Sequence, residues 1–236
     1  MREFYVGYLG LPPGHAAFLR VAVPLILWIM LLTAVGITTT ARDAGDGVWD
    51  TGEQRTWTGA LRTTPYPFLE TREGALLIVG MGKVGVTERV ASLDAHQVDL
   101  QGFLLERDGR RLIELAPGDE AIADLGVTGC PERPVVERGT VTLEGEIVDT
   151  KCFLGAMKPG DGTTHRACAA LCIRGGIPPT LVVEGDDGAR RYVLLVTADR
   201  RAANEVVLDR VAIPVRVTGA LFSLGELEML AIDSIE

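Results

Sequence analysis

The chain is short of histidine, of surplus positive charge and of long amphipathic helical patterns, and each shortage excludes something. Only three histidines, His15, His96 and His165, occur in 236 residues. A His-based hydrolase has few candidates among them, and no Ser-His-Asp constellation or paired-carboxylate motif stands out. A Rieske cluster takes two histidines and the cysteine-rich stretch has one, while the C-x2-C-H pattern of haem attachment is missing. Lys and Arg number 23 against 32 Asp and Glu, a net charge of −9. With no basic run anywhere, nucleic acid is excluded as a partner, because a phosphate backbone demands a cationic face. A hydrophobic content of 47% excludes a disordered chain and allows a real core.

Charge is locally absent too. Residues 21–41, VAVPLILWIMLLTAVGITTTA, hold no charged side chain and are bracketed by Arg20 and Arg42. At 1.5 Å per residue the run is long enough to cross roughly 30 Å of hydrocarbon. A secretory signal would have an apolar stretch of only about 7–15 residues and a small-residue cleavage site. The run here is longer and ends in ITTTARDAG, so the segment is expected to be an uncleaved transmembrane helix. Residues 1–20 carry Arg2 and Arg20 against Glu3, whereas the far flank soon turns acidic at Asp43, Asp46, Asp50 and Glu53. The positive-inside rule therefore predicts a single-pass protein of the bacterial cytoplasmic membrane, with a cytoplasmic N-terminus and a periplasmic bulk.

Beyond the anchor, Gly-rich turns separate short segments of Val, Leu, Ile and Thr, among them TWTGAL, ALLIVG, YVLLVT and VRVTGALF. These read as strands, and the class is mainly β; only 198–209 offers a short helix. The strands repeat. Gly59 in TWTGAL corresponds to Gly145 in TLEGEIV, and Gly102 in VDLQGFLL to Gly219 in VRVTGALF. The first pair is 43 residues apart and the second 74. The middle strand starts 16 residues after Gly59, at Ala75, but 47 after Gly145, at Tyr192. Both differences are 31 residues, so the second unit carries an insertion between its first and middle strands. The expected architecture is an N-terminal transmembrane helix followed by two tandem OB-like Greek-key barrels, with one larger sandwich as the competing arrangement. The barrels are expected at 50–127 and 140–236, joined by a linker at 128–139 that contains Cys130.

The insertion, about 152–180, concentrates the chemistry. Its pattern is C-x12-H-x2-C-x3-C, formed by Cys152, His165, Cys168 and Cys172, with Met157 nearby. Three thiolates and an imidazole make a tetrahedral set for zinc and also suit soft copper, and Met157 could be a weak axial ligand. If HRACAALC is helical, His165, Cys168 and Cys172 share a face at i, i+3 and i+7; the two glycines after Arg174 would stop that helix. The cofactor expected is a metal ion: copper, zinc or iron. Disulfides that pin the insertion, or thiol–disulfide exchange through Cys168 and Cys172, are alternatives that the same residues allow.

The residues D-x-K-C-F-x-G-x-M and H-R-x-C-A-x-x-C-I-x-G-G-I-P-P resemble a signature of small exported bacterial β-barrel proteins, over roughly 141–236. The resemblance implies an exported OB-like barrel and no particular activity. The plan of an anchor followed by an OB barrel is also similar to that of the haem chaperone of cytochrome c maturation, whose His-and-Tyr attachment motif is missing here. An accessory or electron-transfer role beside a respiratory or metal-delivery membrane complex is the functional expectation, more an accessory protein than an enzyme. Two remaining motifs read as structural: Gly80, Gly82 and Gly85 as a β turn rather than a dinucleotide fingerprint, and Tyr66 and Phe68 as a strand end packed on its own barrel rather than a docking surface.

Overall fold

The computed structural model describes residues 7–40, 47–127 and 134–236. Cys130 lies outside them. The chain divides into two units, 1–43 and 44–236. The first contains α1 (Pro13–Thr40), a helix of 28 residues with none buried. It begins at Pro13, upstream of the charge-free run, because proline's fixed φ and missing N–H suit a first helical position. The hydroxyls of Thr33, Thr38, Thr39 and Thr40 all donate to carbonyls one turn back, so the polar end of the helix leaves no hydroxyl unpaired in an apolar medium. By length and composition α1 is able to cross a membrane, as an anchor or as a signal sequence.

The second unit is built from two closed five-stranded barrels. The first consists of β1 (Val48–Arg62), β2 (Phe68–Thr71), β3 (Gly74–Val79), β4 (His96–Arg107) and β5 (Arg110–Leu115), with β6 (Ile122–Val127) added along β4. The second consists of β7 (Val135–Asp149), β8 (Pro179–Glu184), β9 (Arg190–Val196), β10 (Pro214–Leu224) and β11 (Leu227–Ile235). Strand order is β1-β2-β3-β5-β4 in one and β7-β8-β9-β11-β10 in the other, each closing on its first strand. In each, one pair is parallel, β3 with β5 and β9 with β11. These are OB-like Greek-key barrels rather than one sandwich. The four glycines that revealed the repeat occupy matching places. A Cβ on Gly59 would strike Glu70 O of the second strand, and one on Gly145 would strike Val182 O. Gly102 and Gly219 stand equally close to the fifth strands, at Glu114 O and Ala231 O.

Three apolar clusters hold the unit together. Leu61, Leu76, Ile78, Leu100 and Ile113 fill the first barrel, and Ile147, Leu181, Val193, Leu195 and Val217 fill the second. The third lies between them and includes Leu77, Val79, Leu105, Val182, Leu194, Val196 and Phe222. In β3 and β9 alternate residues therefore enter a barrel and the interface, which is why ALLIV and YVLLV are apolar without interruption: both faces are buried. Tyr66 and Phe68 are buried in this shared layer. Tyr66 lies in a cluster drawn from both barrels, and its hydroxyl reaches the opposite one, donating to Leu195 O at 2.5 Å and accepting from Ala203 N at 2.9 Å.

Three local expectations are corrected. Residues 198–209 form turns and a single 3-10 turn at Leu208–Arg210. Asn204 there donates to Ile173 O and Ile177 O, contacts that a regular helix would not offer in this place. Val135 to Gly139 belong to β7, paired with β10, so of the expected linker only 128–134 remains, and 128–133 lie outside the described residues. The strand β6 was not anticipated; IADLGV has only weak alternation.

Candidate functional site

The insertion leaves the barrel where β7 ends. Asp149, fully buried, accepts from the backbone N–H of Cys152 at 2.8 Å through Oδ1. That bond turns the chain out of the strand into a short π-type helical turn, Cys152–Ala156. Thr150 Oγ1 donates to Pro178 O at 2.6 Å, tying the root of the insertion to its exit. The chain returns through α3 (Arg166–Arg174), where RACAALCIR supplies good helix formers. Gly175 ends the helix and Gly176, at φ 97°, turns the chain towards β8. Cys168 and Cys172 are one turn apart on α3 and share a face. His165 stands, buried, at the position before α3 and makes no capping bond with its side chain.

The expected ligands come together in two overlapping groups. The sulfurs of Cys152, Cys168 and Cys172 lie within 4.8 Å of one another, with Cys152 Sγ and Cys172 Sγ at 3.9 Å. All three are free thiols. His165 falls in the second group, with Asp149 and Cys152, and its Nε2 lies 3.2 Å from Asp149 Oδ2. Cys152 belongs to both. The anticipated ring of three cysteines and His165 is therefore split: Asp149 holds the imidazole on the Cys152 side. Met157 is 44% exposed. Its backbone N–H reaches back to Cys152 O at 3.2 Å.

Lysines complete the arrangement from the other barrel and from the root of the insertion. Lys83, in the Gly-rich loop after β3, has its Nζ 2.6 Å from Cys168 Sγ and 3.8 Å from Cys172 Sγ. The hydrogen bond to Cys168 raises the Lys83 pKa. That loop is gripped on two sides. Gly85 N donates to Gly175 O at 2.8 Å, and a Cβ on Gly175 would collide with Lys83 O. From below, the buried Lys151 ammonium donates to Gly80 O and Gly82 O and pairs with Glu114 Oε1 at 2.5 Å. Trp49 Nε1 satisfies the other oxygen of Glu114. Gly85 allows close approach between two backbones, since a Cβ there would strike Gly176 O, while Gly82 turns the loop at φ 73°; the partner backbone is the part of the β-turn reading that the sequence could not supply.

Protonation is unequal across the trio. Cys152 donates to Cys172, which raises the Cys152 pKa, and burial and the Asp149 carboxylate push it the same way. The same hydrogen bond lowers the Cys172 pKa against the cost of burial, with the Lys83 ammonium assisting. The two shifts run in opposite directions across one contact.

No protein-family model matches this chain, and no curated protein or solved structure matches it. The site is accordingly read from its own chemistry. Three soft donors at one point, one partly exposed and two buried, can hold a thiophilic metal ion. Asp149, Lys83 and Lys151 escaped the sequence reading. Asp149 and Lys151 stand in the quoted D-x-K-C, but nothing in that spacing shows that one carboxylate reaches both a backbone N–H and an imidazole. Lys83 lies 85 residues from Cys168, and its only local mark is a lone cation between glycines.

Proposed function

We propose that this chain is a membrane-anchored, extracytoplasmic accessory protein whose second barrel carries a thiolate metal centre on Cys152, Cys168 and Cys172. The observation that carries the reading is the convergence of three free thiols within 4.8 Å. The spacing fits the group: thiolates at about 2.3 Å from a shared centre stand about 4 Å apart in a plane, and Cys152 and Cys172 are 3.9 Å apart. Asp149 and His165 serve as the supporting pair beside Cys152, the kind of hydrogen-bonded arrangement that orients a ligand. Loading releases thiol protons, so affinity rises with pH.

The apolar helix α1 supports a tether, and Arg2 and Arg20 against the single acid Glu3 in the N-terminal flank support an exported bulk. A tether raises the effective concentration of the site beside a membrane partner, which favours service to a respiratory or metal-delivery complex. The resemblance to exported β-barrel proteins belongs to the same reading. The 3.9 Å contact also favours a second one, thiol–disulfide exchange between Cys152 and Cys172 in an oxidising compartment.

The full chain, isolated from membranes, should carry one equivalent of metal and yield three reactive thiols in the site after chelation. Cys172→Ser should lose that load. A protein that arrives without metal, with Cys152 and Cys172 blocked until reductant is added, would favour exchange instead. Full metal occupancy in Cys172→Ser would refute the ligand assignment.

A further inference from the structure

The geometry points to Lys83 as the residue that keeps this centre three-coordinate and so selects monovalent copper over zinc. The inference rests on the metal reading above and adds the identity of the ion. Zinc in a structural thiolate site takes four ligands in a tetrahedron, whereas soft thiolates also suit Cu(I), which three sulfurs satisfy. Cys152, Cys168 and Cys172 supply three. The fourth has two conceivable sources, a further side chain or water, and Lys83, exposed at the mouth of the site, stands on the side from which water comes.

Among the His, Asp and Glu side chains of the described residues, those grouped with any of the three thiols are Asp149 and His165. They are grouped with Cys152 alone, and they hydrogen-bond each other at 3.2 Å. From the solvent side, Cys152 and Cys172 are buried and Cys168 is the partly exposed sulfur. Water therefore approaches past Cys168, where Lys83 Nζ stands 2.6 Å from that sulfur and 3.8 Å from Cys172. An ammonium has three donors and no lone pair, so it cannot ligate. It donates to the sulfurs and holds the place a fourth ligand would need. Its charge also offsets part of the surplus left by three thiolates around a monovalent ion.

Lys83 is not there by chance of a flexible side chain. Its loop is fixed by Gly85 N to Gly175 O, by the close approach of Gly175 to Lys83 O, and by the Lys151 ammonium on Gly80 O and Gly82 O. The first barrel thus supplies a lid atom to a site whose ligands all belong to the second.

The test loads the full chain, in detergent and under reducing, oxygen-free conditions, with Cu(I), Zn(II) and the zinc reporter Co(II), alongside Lys83→Ala. Wild type should bind Cu(I) through three sulfurs by X-ray absorption and give no tetrahedral Co(II) bands. Lys83→Ala should keep three sulfurs, gain one light-atom ligand with tetrahedral Co(II) bands, and raise its zinc-over-copper preference about 10- to 100-fold, the usual scale for groups around a metal ligand set. Identical four-coordinate Co(II) spectra in both proteins would overturn the role of Lys83 while leaving the thiolate centre intact. So would a folded Lys83→Ala that loses Cu(I), since the ammonium would then be a support and not an excluder. If neither protein binds any of the three ions, the metal reading falls and this inference with it.

Discussion

In the first barrel the chain passes from β1 to β2 in the five residues 63–67; in the second the same passage takes 150–178. Strand order, the parallel pair and the four close-packed glycines are otherwise the same. The difference is sharpest at one position. Tyr66 stands seven residues after Gly59, and Cys152 seven after Gly145. Both are buried in the layer between the barrels. In one copy that position rivets the barrels with a hydroxyl; in the other it opens an insertion and offers a thiol. An OB barrel tolerates growth of this connection, one of those the fold uses for binding, because the barrel closes without it. The enlarged connection nevertheless needs the unenlarged copy. Lys83, Gly80, Gly82 and Glu114, all of the first barrel, cover or brace it. The duplication supplies a site and its roof.

The most severe test of that interdependence is Glu114→Ala. It strands the Lys151 ammonium, whose side chain is 4% exposed, and takes the partner from Trp49 Nε1. Breaking a buried pair from one side costs about 3–5 kcal/mol, while replacing both partners with apolar groups of similar size is often neutral. Urea unfolding of the full chain should show a loss of that size for Glu114→Ala and recovery of most of it in Glu114→Leu with Lys151→Met. If the single variant unfolds within about 1 kcal/mol of wild type, the pair does not brace the roof loop.

A smaller effect separates the two copies of the shared position. Tyr66→Phe leaves Leu195 O and Ala203 N without the hydroxyl that serves them, at about 1–3 kcal/mol for buried groups left unpaired. Its metal load should be unchanged. Cys152→Ser should do the reverse, losing the load with less than about 1 kcal/mol of stability. Equal metal loss in both variants would mean that the position plays one role in the two copies, and the contrast drawn between them would fail.

How much of this was readable beforehand follows the range of the interactions. The β class, the apolar helix, the repeat and the place of the insertion were legible, because glycine positions and uninterrupted apolar runs are local marks of close strand contact and of burial. So was the clustering of Cys152, Cys168 and Cys172, two of which sit on one helical face. What was not legible joins distant segments. The unbroken apolarity of ALLIV already implied two buried faces, yet not which surface covers the second. Lys83, Lys151 and Glu114 carry ordinary solvated-looking charges in sequence, and only the packing of one barrel on the other brings them to the sulfurs. His165 was grouped with the thiols by its spacing from Cys168 and Cys172, which cannot tell that Asp149 claims the imidazole.

The finest comparison is within the trio. Cys172 has its pKa lowered in the folded state and Cys152 has its pKa raised, while in the unfolded chain both titrate near the ordinary thiol value of about 8.5. For Cys172 the contribution to stability is complete above that value and is lost as pH falls through its depressed pKa. For Cys152 it is complete below that value and is lost as pH rises towards its raised one. The two slopes have opposite sign on either side of about pH 8.5, so the metal-free, reduced protein should reach its thiol-dependent stability maximum there. Thiolate ultraviolet absorbance should show the matching asymmetry: Cys172 ionising below the ordinary thiol range and Cys152 above it. Replacing both residues by alanine should flatten the stability profile. If the wild-type pair instead ionises together in one step near pH 8.5, the two shifts are not opposed, and the 3.9 Å contact is packing alone.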